Sequence, residues 1–176
     1  MSNLFAILDL PESLILESGD IEASWREKTR AGESGELHEA RATLTDPVRR
    51  LEHWLQLRKV EAPRGSSMPP RTMDLFSQIH GVLSETDAVI TKLKSSTTAL
   101  MRAVITKSAV QAQLKLQECM QQIQQEKAAR LDRFAEFEKL GDAGEFAEAV
   151  EVLGQLKFLR KWEQQCQERL LSLLEF

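Results

Sequence analysis

The closing stretch, Ala143 to Phe176, restricts the fold more than any other part of the chain. Phe146, Ala149, Leu153, Leu156, Leu159, Cys166, Leu170 and Leu173 recur at steps of three and four. That spacing sets them along one side of a helix about 50 Å long. Phe158 and Trp162, one turn apart, project from a different side than Leu156. A helix apolar on two sides must cover both, against the rest of the chain or against a partner.

The segments upstream supply the remaining faces. Residues 2–10 form a short apolar helix stopped by Pro11. A second helix spans about 20–30, with Ser18 or Asp20 as its cap and Ile21 and Trp25 on one face. Ala31 to Gly35 is the break before a third, about 36–45, built on Leu37, Ala40 and Leu44. Asp46 caps a fourth, Pro47 takes its first position, and Leu51, Trp54, Leu55 and Leu57 face inward. Trp25 and Trp54 are read as core of this small region.

Residues 61–71 hold three of the five prolines and mark a linker. Long-period helix follows from Thr72 to about Ile105, with a bend at Ser95–Thr98. Ser108 with Gln111 reads as a capping box opening a helix from Ala109 to Leu140, which Gly141–Gly144 ends. The expectation is an all-α chain: helices over 1–60, the linker 61–71, then a three-helix antiparallel bundle over 72–176. The long seams also suit a coiled coil between two chains.

Several function classes are excluded. The net charge is −4 and no basic run interleaves with aromatics, which argues against a nucleic-acid partner. No apolar run reaches the length of a membrane span, and the start lacks a signal peptide's pattern. The chain reads as soluble and cytoplasmic, with no membrane partner. His38, His53 and His80 have no companion ligands at metal spacing, and Cys119 and Cys166 are read as small buried apolar residues. No phosphate loop, nucleophile elbow or activated pair is present. No metal, no cofactor and no enzymatic activity are expected.

The order of motifs resembles the HscB-type J-domain co-chaperones of iron–sulfur cluster assembly. Leu156, Phe158, Leu159 and Lys161 match that family's Leu-x-Phe-Leu-x-Lys core, and the Leu-Leu-x-Phe finish follows. Residues 3–11 resemble its opening motif, and Leu44 to Glu52 its Leu-x-Asp-Pro-x-x-Arg-Ala-Glu segment. The resemblance implies a J-like domain over 1–60 and a C-terminal domain that binds an iron–sulfur scaffold protein through an apolar patch. By position, Leu75, Ile79 and Phe158 belong to that patch, and Trp162 joins them as an aromatic anchor. His80, Gly81 and Val82 stand where the family carries flanking acids.

One departure is large. The family's His-Pro-Asp loop, which with a basic second helix engages an Hsp70, is absent from Ala31–Gly35. The J-like domain is therefore degenerate. Were Hsp70 docking to survive by another surface, Lys28 and Arg30 would carry it. The expected function is a co-chaperone-like adaptor that holds a client or scaffold protein without the usual ATPase stimulation. The alternative is a self-associating helical protein, a homodimer through its long seams.

Overall fold

A computed structural model describes residues 2–60 and 70–175. Its helices are α1 Leu4–Ile7, α2 Ser18–Ala31, α3 Gly35–Thr45, α4 Pro47–Leu57, α5 Pro70–Ser95, α6 Ala99–Leu131, α7 Phe134–Asp142 and α8 Ala147–Leu174. No strand occurs among the described residues, so the chain is all-α. Residues 61–69 of the expected linker lie outside the described residues.

Short polar side chains set the helix starts. Asn3 Oδ1 accepts from the Phe5 and Ala6 amides at 3.1 and 3.2 Å. Ser34 Oγ accepts from Leu37 at 3.3 Å. Asp46 Oδ1 accepts from Val48 and Arg49 at 2.9 and 3.2 Å, with Pro47 opening α4. α2 differs from expectation. Its N-cap is Glu17, which makes no side-chain cap bond, rather than Ser18 or Asp20.

The long helices also divide differently. The helix expected to reach Ile105 stops at Ser95. Ser95 and Ser96 both donate to the Lys92 carbonyl, at 3.1 and 2.7 Å, in competition with the helix ladder. Thr98 then accepts from the Met101 amide at 3.3 Å and opens α6. α6 runs straight through Ser108, so the expected capping box there is internal helix. It breaks instead at Asp132–Arg133. There Arg133 is held by Glu136 at 2.9 Å and by Glu148, and α7 continues as a separate helix that buries Phe134 and Phe137.

The chain forms two compact units. One holds the described residues of 1–66 together with 129–157, the other those of 67–128 together with 158–176. The sequence had placed all of 72–176 in one domain. The regrouping follows from side chains: Phe134, Phe137, Ala149, Val152, Leu153 and Leu156 share one core with Phe5, Leu8, Ile21, Leu44, Leu51 and Trp54. Burying apolar surface is the dominant favourable term, and the four short helices complete their core with these later residues.

Within the first unit, Trp54 is 1% exposed. Its ring meets Phe146 edge-on at 5.8 Å, and the Arg58 guanidinium lies 3.9 Å from its centroid. Gly141 makes this possible, since a Cβ there would sit 2.5 Å from Trp54 Cη2. Gly144, at φ +82°, closes α7. Its amide donates to Gly141 at 3.0 Å, and the Glu145 amide donates to Leu140 at 2.9 Å.

His53 is buried in the same unit. Its Nε2 accepts from the Leu4 amide at 3.1 Å and its ring stacks on Phe5 at 5.6 Å. Burial lowers its pKa, with Glu12 and Glu39 opposing. The native state therefore resists a proton that the unfolded chain accepts below about 6.5. Stability is full above that pH and falls as pH drops towards the lowered native value, by at most about 1.4 kcal/mol per pH unit. Urea unfolding at neutral pH and in mild acid should show this loss, and His53→Gln should flatten it. An equally steep loss in the variant would assign the effect to other groups.

The second unit has its own core. Leu75, Ile79 and Leu83 come from α5, Leu116, Cys119 and Ile123 from α6, and Leu159, Trp162 and Cys166 from α8. Side-chain contacts fix the directions. Phe76 meets Trp162 and Asp87 meets Arg169, so α5 and α8 run the same way. Lys115 meets Glu85 and Lys127 meets Glu163, so α6 runs against both. Arg169 grips Asp87 with two bonds, Nε to Oδ1 and Nη2 to Oδ2, each 3.1 Å.

Candidate protein-binding surface

The candidate surface lies wholly in the second unit. On α5 the positions at steps of four, Leu75 and Ile79, turn inward; they are 9% and 1% exposed. A residue one place on is rotated by about 100°. That rotation sends Phe76 and His80 outward. Phe76 is 39% exposed, and Met73, one turn before it, 47%. On α8 Leu159, Trp162 and Cys166 turn inward, while Phe158 is 38% exposed.

The two exposed phenyl rings share one support. Trp162 is 4% exposed, and its indole lies 5.4 Å from the Phe76 ring and 6.3 Å from that of Phe158. His80 stacks on Phe76 at 6.0 Å. The result is a two-ring apolar surface on a rigid indole base, with exposed Arg160 and Lys161 following Phe158 on α8. Aromatic side chains bring large contact area at little entropic cost, which suits them to anchor a protein partner.

The sequence-predicted residues are thus partly brought together and partly reassigned. Phe158 is at the surface. Leu75 and Ile79 are core, and Trp162 lies beneath the surface rather than on it. Phe76 was missed as a site residue because it falls within the same apolar run as Ile79. The available signal was the second stripe of Met73, Phe76 and His80, offset by one position from Leu75 and Ile79.

The two candidate cations, Lys28 and Arg30, lie on the last turn of α2. Lys28 is paired with Asp9, and Arg30 is exposed. The connection from α2 to α3 is Gly32–Ser34. Ser34 is engaged in capping, and His38 is paired with Glu33 at 2.9 Å beside the Trp25 ring. Cys119 and Cys166 are fully buried. Burial raises both thiols, Cys166 to about 11, so both stay protonated near neutrality. Among the described residues no group of three His, Cys, Asp or Glu is placed to hold a metal ion.

No family model matches the sequence, and no curated protein matches it by sequence. Solved structures do match by fold. Human co-chaperone protein HscB superposes with a TM-score of 0.63 at 14% identity, over 96% of this chain and 82% of that one. Chaperone HscB from Vibrio cholerae superposes with a TM-score of 0.55 at 19% identity, over 95% of this chain and 96% of that one. The chain has an HscB-like fold.

Proposed function

We propose that this protein is a co-chaperone-like adaptor that binds a client, an iron–sulfur scaffold protein first among the candidates, through the Phe76–Phe158 surface. The observation that carries the reading is a pair of phenyl rings held more than a third exposed on a buried indole. A fold gains nothing from such exposure. The HscB-like fold supports a protein partner of this class. The short Gly32–Ser34 connection, without His-Pro-Asp, supports a chain that holds its client without stimulating an Hsp70 through the usual loop. Any other mode of docking would fall to Lys28 and Arg30 on α2.

The experiment is calorimetric titration of purified iron–sulfur scaffold into wild type, Phe76→Ala and Phe158→Ala. Each substitution should weaken binding about tenfold or more, as expected for an aromatic anchor, and leave the mass by light scattering unchanged. Unaltered affinity in both variants would sink the reading. A shift from dimer to monomer would favour self-association instead. ATPase stimulation of the cognate Hsp70 above buffer would overturn the second half of the proposal.

A further inference from the structure

The first half of α6 carries apolar side chains that the fold leaves uncovered. Leu100 is 77% exposed, Val104 72%, Val110 50% and Leu114 55%. With Lys107 between them their spacing runs four, three, three, four, which makes one stripe about 21 Å long on a single helix face. The inward face is a different one, formed by Ala112, Leu116, Cys119 and Ile123.

Charge is segregated along the same part of the sequence. The chain carries a net charge of −4, yet residues 88–117 contain Lys92, Lys94, Arg102, Lys107 and Lys115 and no acidic residue. Lys115 is matched by Glu85 at 2.5 Å. Lys92, Lys94 and Lys107 are exposed.

A straight stripe at this spacing suits a helix as its occupant. A second copy fits the apolar spacing and fails the charge. An antiparallel pair centred on Lys107 sets Leu100 on Leu114 and Val104 on Val110, but it also sets Lys107 on Lys107 among further bases, which is repulsive. An anionic lipid surface fits the charge, but residues 88–117 contain no Phe, Trp or Tyr of the kind that anchors at a bilayer interface. We propose that this stripe docks an acidic amphipathic helix of another protein. Its apolar residues lie along Leu100, Val104, Val110 and Leu114, and its carboxylates meet Lys107. The surface is distinct from Phe76 and Phe158 and does not depend on the adaptor reading.

The probe is a labelled peptide of about 20 residues with leucines in heptad positions and glutamates flanking them. A twin peptide carries lysines in place of the glutamates. The full-length protein should bind the glutamate peptide saturably, more weakly as salt rises, and should not bind its twin. A Leu100→Ser, Val104→Ser double variant should lose about tenfold or more in affinity. Lys107→Glu, an exposed change that spares the core, should weaken the glutamate peptide severalfold. No saturable binding, equal binding of the twins, or unchanged affinity in these variants overturns the proposal. So does sedimentation with phosphatidylserine vesicles that the glutamate peptide fails to displace, or a dimer that the double variant dissolves.

Discussion

Trp54→Ala should lower the unfolding free energy by about 3–5 kcal/mol, the range for emptying a large aromatic site in a core. The side chain is 1% exposed and fills the space between Phe146 and the bare Cα of Gly141. Removing it leaves those partners facing a void that only a shift of α7 against α4 could fill. The Arg58 guanidinium, 3.9 Å from the ring centroid, loses its aromatic face at the same time. A loss of this size is a large share of a small protein's total stability. Urea unfolding followed by circular dichroism measures it. A loss below about 1 kcal/mol would mean that the site collapses freely and that the ring is not a keystone of the first unit.

The second large effect belongs to Trp162, and it separates support from contact. Trp162→Ala removes a ring that is 4% exposed, packs in the core with Leu75, Ile79 and Leu159, and carries both Phe76 and Phe158. It should cost about 3–5 kcal/mol of stability and abolish scaffold binding together. Phe158→Ala differs, because that ring is already 38% exposed; it should weaken binding and cost far less stability. Trp162→Phe keeps an aromatic base and should recover much of both properties. If Trp162→Ala kept full stability and lost only binding, the indole would have to touch the partner itself, and the support role would be wrong.

Much of the fold was legible because its signals are local. Asp46 followed by Pro47 and the Gly141–Gly144 turn each settle their own backbone, and each is where the spacing put it; the Ser34 cap of α3 lay within the expected break and was not singled out. The bend expected at Ser95–Thr98 is a full break, since two successive serines bond back to the Lys92 carbonyl and compete with the ladder there. Ser108 misled, because a Ser-x-x-Gln pattern caps a helix only where the preceding backbone leaves it, and nothing before Ser108 does. The candidate site was half legible. Phe158 stood off the seam of α8 and is exposed. Leu75 and Phe76 are adjacent apolar residues, and which of the two faces inward depends on what packs over α5. That is information from Leu159 and Trp162, more than 80 residues away in the chain. The grouping of 129–157 with the first helices was invisible for the same reason, since no local pattern says which core Phe134 and Phe137 will enter.

That grouping bears on how such a protein can be inherited. Neither unit is a continuous stretch of sequence, because each is completed by a segment from further along the chain. A gene fragment ending between residues 67 and 128 would encode the four short helices without Phe134, Phe137 and Leu156, and α5 without Leu159 and Trp162. Small domains commonly spread by the copying of one uninterrupted block of coding sequence. Neither half of this chain could travel that way, so the two are expected to descend together, and to lose or change their tasks by substitution rather than by exchange.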